Sequence, residues 1–188
     1  MRKLNQSIPE NYHQVFDGVL FDVYHWEQEL YDGTTTTFEK IVRGDSSVII
    51  PTSADGYFYV NYEQQPDKDP YVCLPAGRVE SYESPLEGAK RELLEETGLS
   101  SPTWDEVTVF NPSTTIDWQV HIFNAKHCIK SATPLLDAGE KIICKKVNRQ
   151  EFIKVILEPT FRDLPVKIMF LEHYYYGTHE QWLDSLIN

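Results

Sequence analysis

The stretch from Gly77 to Leu99, Gly77-Arg-Val-Glu-Ser-Tyr-Glu83-Ser-Pro-Leu-Glu-Gly-Ala-Lys-Arg91-Glu92-Leu93-Leu94-Glu95-Glu96-Thr97-Gly98-Leu99, admits few local structures. Ser84 suits an N-cap, Pro85 the first helical position, and Glu87 completes a capping box. Gly98 is placed to end the helix in the left-handed region. The spacing therefore predicts a helix from Pro85 through Thr97. On it Leu86, Ala89 and Leu93 share a packing face, while Glu92, Glu95 and Glu96, at i, i+3 and i+4, project together. These carboxylates repel one another, and they lie in the last turn, where the helix dipole disfavours anions. A hard divalent cation with oxygen ligands, Mg²⁺ or Mn²⁺, removes the conflict. A solvated acidic face is the other reading, and the helix alone leaves both open.

The full spacing, Gly-x5-Glu-x7-Arg-Glu-apolar-x-Glu-Glu-x-Gly-apolar, is met at every fixed position from Gly77 to Leu99. It resembles the signature of the Nudix hydrolases. The resemblance implies an α+β fold: an α/β/α sandwich with a mixed central sheet and a loop-helix-loop metal site. It implies hydrolysis of nucleoside diphosphates linked to another moiety. Many relatives carry Gly where this chain has Tyr82, a position outside the strict signature.

Composition fits that reading. The 188 residues, 41% hydrophobic and 13% aromatic, suffice for one domain with a sizeable core. A net charge of −12 argues against nucleic acid as a partner. An acidic protein taking a phosphorylated substrate needs metal ions to screen the anion. Cys73, Cys128 and Cys144 form no C-x-x-C pair and read as reduced thiols of a cytoplasmic protein. No signal peptide and no membrane-length apolar run is visible.

Along the chain, residues 1 to about 12 read as a loose arm. Alternation from His13 to Tyr31, the hairpin signal Asp32-Gly33 and the β-branched run Thr34 to Val42 predict an N-terminal antiparallel β-meander. It is too small to bury its own faces and must pack on the rest of the chain or on a second copy. Strands follow at Ser46 to Pro51, Tyr57 to Tyr62 and Tyr71 to Leu74, with a sharp turn at Pro75-Ala76-Gly77. Further strands are expected at Val107 to Phe110, Trp118 to Lys126 and Lys141 to Val147, with helices at Arg149 to Leu157 and Leu164 to Tyr176 and a last amphipathic turn or two at His179 to Ile187. The division expected is a dimer-forming arm and meander over 1–44, a catalytic domain over 45–176 and a C-terminal tail over 177–188.

Phe38-Glu39-Lys40-Ile41-Val42, Ser47 to Pro51, Leu74-Pro75-Ala76-Gly77 and Asp137-Ala138-Gly139-Glu140-Lys141-Ile142 resemble the ADP-ribose pyrophosphatase branch. That resemblance implies a homodimer and ADP-ribose or a related nucleoside diphosphate sugar as substrate. Two stretches depart from the branch. Glu63-Gln64-Gln65-Pro66 stands where relatives often carry Gln-Tyr-Arg-Pro, and Pro112-Ser113-Thr114 where they often carry Ser-Pro-Gly. By resemblance, Glu92 and Glu96 are the main Mg²⁺ ligands, Glu95 shares a second ion, and a backbone carbonyl of Ala76 or Gly77 completes the set. Glu83 and Arg91 hold loop and helix together, and Glu140, from a mobile loop, is the general base. Trp26 and Trp118 are candidates for stacking a base, although such side chains are more often core or interface. The competing readings are a non-catalytic nucleotide-binding Nudix sensor, which usually loses box carboxylates, and isopentenyl diphosphate isomerase chemistry, which needs a catalytic cysteine that Cys73 does not resemble in context.

Overall fold

The computed structural model describes residue 5, residues 8–66 and residues 68–188. Residues 1–4, 6 and 7 of the arm expected over residues 1 to about 12 lie outside them.

The chain begins with an antiparallel meander of β1 (His13–Asp17), β2 (Phe21–Glu29) and β3 (Thr35–Arg43). Asp32 accepts from the Thr34 N–H at 3.0 Å and Gly33 adopts φ +82°, closing the hairpin between β2 and β3. β4 (Ser46–Pro51), β5 (Phe58–Gln64), β6 (Tyr71–Cys73) and β7 (Ala76–Arg78) lead to α1 (Pro85–Thr97). Then come β8 (Leu99–Ser100), β9 (Thr103–Phe110), β10 (Ile116–Asp117), β11 (Val120–Lys126), β12 (Ile129–Lys130), β13 (Lys141–Val147), α2 (Arg149–Leu157), α3 (Leu164–Tyr175) and α4 (His179–Ile187).

The central sheet has the order β7-β4-β11-β9. β4 and β11 run parallel, with Val48 opposite Ile122, and the other pairs are antiparallel, so the sheet is mixed as expected. A second sheet, β13-β5-β6, is wholly antiparallel. Strand alternation sorts apolar side chains to two faces. Val48, Ile50, Val120 and Ile122 pack with α2, α3 and α4, where Phe152 stacks on Phe58 with ring centroids 4.1 Å apart. Ile49, Phe123 and Ala125 pack on the other side against Ala89 and Leu93 of α1. Helices thus cover both faces, an α/β/α sandwich of α+β class.

Two placements differ from the sequence reading. The turn expected over Pro75-Ala76-Gly77 is a bend at Pro75 alone, whose carbonyl accepts from the Ile49 N–H at 2.9 Å, and Ala76-Gly77 continue as the extended strand β7 paired with β4. The last residues form a full helix, α4, whose Trp182, Leu183 and Leu186 are buried in the core. The buried Thr52 hydroxyl, just past β4, donates to the Leu186 carbonyl at 3.0 Å.

The meander joins the sandwich through β10, which pairs parallel with β3. Every residue of β1 is exposed. No helix among the described residues is long and apolar enough to cross a membrane.

Candidate active site

α1 begins and ends as its sequence requires. Ser84 Oγ accepts from the Glu87 N–H, and the Glu87 carboxylate accepts from the Ser84 N–H at 2.8 Å, a complete capping box. Gly98 closes the helix at φ +66°, where an added Cβ would also overlap the Ala132 carbonyl. The dipole conflict of the last turn is relieved from outside the helix: Lys130 Nζ donates to the Thr97 carbonyl at 2.6 Å.

Helix and preceding loop are tied by Arg91. Its Nη2 donates to Glu83 Oε1 at 2.7 Å and its Nε to Glu83 Oε2 at 3.2 Å, a two-pronged pair. Glu83 also accepts from the Glu80 N–H, and Arg91 Nη2 reaches the Arg78 carbonyl. Arg91 is the foremost cause that holds the Glu83 carboxyl below the usual carboxylate range. The remaining nitrogen, Nη1, donates to Glu92 Oε1 at 2.8 Å and to Glu95 Oε2 at 3.0 Å.

Glu96 is buried, and its Oε2 accepts from Asn61 Nδ2 at 2.8 Å and from the Ala76 N–H at 3.3 Å. Burial first, then the neighbouring Glu92 and Glu63, push the Glu96 carboxyl up to about 9. Burial also raises Glu92 against the pull of Arg91, and raises Glu140. Gly77 has no side chain, and a Cβ there would overlap the Glu92 carboxylate.

These groups line a cleft of about 260 Å³. Glu92, Glu95, Glu96 and Arg91 form one wall. Ala76, Gly77 and Arg78 of β7 form the second, Asp137 and Glu140 the third, and Leu20 and Arg43 the side nearest the meander. The acidic loop is anchored to α1 by the Leu135 N–H, which donates to the Glu95 carbonyl at 2.8 Å, and by bonds from Ser131 and Ala132 to the Gly98 carbonyl. A larger hollow of about 450 Å³ lies between β13, β6 and the segment after α2. It lacks the carboxylates of α1, so the smaller cleft is the candidate site.

Among the described residues, no three His, Cys, Asp or Glu side chains are already gathered at metal-ligand spacing. Arg91 engages Glu92 and Glu95, while Asn61 and the Ala76 N–H engage Glu96. The donors nonetheless suit a hard divalent cation. They are carboxylate oxygens of like charge on one helix, with burial holding Glu92 and Glu96 toward their neutral forms.

The two tryptophans sit differently from one another. Trp26 is buried on β2, tilted against Phe38, and does not line the cleft. Trp118 lies just before β11; its Nε1 donates to Ser46 Oγ at 3.2 Å, and one face carries the Arg43 guanidinium 4.3 Å from the ring centroid. Cys73 is buried with Sγ donating to Glu63, and burial pushes its thiol far up, which is not the setting of a reactive thiolate.

Sequence reasoning missed Arg43 and Arg78 in the lining of this cleft, and Asn61, buried behind it, as the partner of Glu96. Asn61 carried a signal, a polar residue inside the apolar run Phe58-Tyr-Val-Asn-Tyr of β5. Arg43 and Arg78 carried none, because their meeting depends on β4 pairing with β7, where Ser46 stands opposite Arg78.

The family model described as "NUDIX domain" matches residues 43–155. ADP-ribose pyrophosphatase of Bacillus subtilis (strain 168) is 27% identical over 146 residues, 76% of this chain and 79% of that protein. The methanol dehydrogenase activator of Bacillus methanolicus is 29% identical over 167 residues, 87% of this chain and 90% of its own. Among solved structures, one titled "Crystal structure of ADP compounds hydrolase" aligns with a TM-score of 0.72 at 16% identity. It covers 94% of this chain and 98% of its own, a likeness of fold.

Proposed function

Because this chain belongs to the Nudix family, we propose that it is a Mg²⁺-dependent pyrophosphohydrolase acting on ADP-ribose or a related nucleoside diphosphate sugar. The products are a nucleoside monophosphate and a sugar phosphate. The observation that carries this reading is the cleft in which Glu92, Glu95, Glu96 and Glu140 meet. Similarity to the Bacillus subtilis ADP-ribose pyrophosphatase supports the substrate class.

Glu92 and Glu96, with Glu95, would hold the cation; Mn²⁺ has the same oxygen preference. When bound, it neutralises the diphosphate and lowers the pKa of an attacking water. Arg91 and Glu83 keep loop and helix in register. Asn61 and the Ala76 N–H hold Glu96 Oε2 in place. Glu140, whose carboxyl is raised by burial and sits in an acidic neighbourhood, takes the proton from the water.

The similarity to a protein named as a dehydrogenase activator, over nearly the whole chain, favours a second reading in which the domain binds a nucleotide and acts on a partner enzyme. The intact box, from Gly77 through Glu96, supports turnover instead. A hydrolysis screen of nucleoside diphosphate compounds with Mg²⁺ and Mn²⁺, products identified by mass, tests the proposal. ADP-ribose should yield AMP and ribose 5-phosphate faster than any nucleoside triphosphate is cleaved. No turnover of any nucleoside diphosphate would leave the binding reading standing.

A further inference from the structure

The third helix, α3, is apolar on two opposite sides. Val166 and Phe170 face inward and are buried, Phe170 against Trp182 of α4 with ring centroids 6.2 Å apart. On the other side Leu164, Ile168, Leu171 and Tyr175 follow at intervals of four, three and four, so they form a single stripe along the helix. They are 60%, 51%, 43% and 82% exposed. A helix that is apolar all round is ordinarily covered all round. A contiguous stripe left open marks a contact surface, which singly scattered surface leucines do not.

The spacing also says what fits the stripe. Steps of four and three are the d-a-d-a seam of a coiled coil, with Leu164 and Leu171 at d and Ile168 at a, the combination that favours parallel two-stranded pairs. The flanking positions carry opposite charges, Lys167 at g and Glu172 at e. In a parallel pair in register, a g residue meets the e residue five positions on in the other helix, so Lys167 of each copy lies beside Glu172 of the other. A two-fold axis makes that contact twice. In an antiparallel pair g meets g and e meets e, and the match is lost. Among the described residues Glu172 forms no ion pair, and Lys167 Nζ donates to the Glu158 carbonyl at 2.9 Å. That bond leaves the ammonium with N–H groups for a carboxylate.

We propose that α3 is a docking face for a second copy of this chain, the two helices lying parallel and in register about a two-fold axis. The contact is separate from the β-meander and independent of the hydrolase reading. It is small: its 12 residues span about 18 Å, so the pair falls short of the ~1,600 Å² of a standard interface. Association through it is weak and reversible, and adds to any tighter contact elsewhere.

Sedimentation equilibrium of the full chain from about 10 μM to about 500 μM, the range of a weak interface, tests it. The mass found at the low end should double toward the high end. Ile168→Glu, at a site already half open to solvent, should keep the low-end mass and the melting temperature and abolish the doubling. Glu172→Lys should weaken association about fivefold or more by setting Lys167 against a like charge, and adding Lys167→Glu should restore it to within about twofold of wild type. Leu164→Cys reads the direction of pairing. Oxidised with copper–phenanthroline at the high concentration, it should give a disulfide-linked pair through the introduced thiols, which only parallel helices bring together. Wild type, with Cys73 and Cys128 buried, should not. A wild type that does not double in mass overturns the proposal, as does doubling that survives Ile168→Glu. Failure of the charge reversal to restore association, or of Leu164→Cys to link, overturns the parallel register.

Discussion

Single residues divide the labour of the cleft, and their substitutions should separate cleanly. Glu96→Gln keeps an oxygen for Asn61 Nδ2 and the Ala76 N–H but removes a carboxylate proposed to hold the cation, so kcat should fall by orders of magnitude together with metal affinity. Glu140→Gln should lower kcat by about 10² to 10⁴ with metal affinity little changed. Retention of more than half of wild-type kcat would move the base elsewhere, with Asp137 next. Asp163 illustrates a different cost. Its Oδ2 accepts from the Leu74 N–H at 2.6 Å, and burial still pushes its carboxyl up to about 7 from an ordinary 3.8. A raised folded value means the folded state holds the proton more tightly. Stability is then highest in acid and is lost as pH climbs from near 4 through about 7. Asp163→Asn mimics the protonated form, so thermal melts should show a midpoint several degrees above wild type at about pH 8 and little change at about pH 4.5. A fall at the higher pH would mean that the carboxylate bond to Leu74 outweighs burial. At this scale the sequence was readable where placement follows local spacing, as for the Glu83–Arg91 pair and the shared face of the α1 acids. It was silent on Arg43, whose neighbours Trp118, Phe21 and Arg78 are distant in the chain.

Elements show the same boundary. Ser84, Pro85, Glu87 and Gly98 write both ends of α1 in adjacent residues, and the helix begins and stops where they say. Ser84→Ala should cost about 1 kcal/mol. Gly98→Ala should cost more, because it combines a left-handed φ with a clash against the Ala132 carbonyl, a backbone atom that cannot swing aside. Chemical denaturation of the two variants checks the order, and a smaller loss in Gly98→Ala would contradict it. α2 was equally legible: Asn148 caps it and Glu151 completes a second capping box. By contrast β7, β10 and β12 are two- or three-residue strands whose existence depends on partners elsewhere, β4, β3 and β8. No propensity within two residues announces them.

The whole molecule leaves a second apolar surface uncovered by its own chain. Val15, Phe16, Val19, Phe21 and Phe38 of the meander region are exposed, more apolar surface than a small three-stranded ribbon ordinarily shows. A second copy covering it, as expected from the sequence, should appear as a dimer in sedimentation at micromolar concentration. Removal of residues 1–44 should give an aggregating or inactive protein, for it also deletes Leu20 and Arg43 from the cleft lining. A monomer at that concentration would refute the dimer. The layered sandwich could be read from the sequence because strand alternation and helix caps are local. The attachment of the meander through β10 could not, because a two-residue parallel pair is specified by the finished fold. The bond from Thr52 to the Leu186 carbonyl has a meaning in time as well as in space. Thr52 follows directly on β4, which carries the wall opposite α1, and its hydroxyl finds that acceptor only when α4 is in place. On the ribosome, α1 and its acids are therefore made long before the sheet beneath them can be sealed. Until residue 186 has left the exit tunnel, the apolar face of the sheet away from α1 stays open, because α4 brings Trp182, Leu183 and Leu186 to cover it.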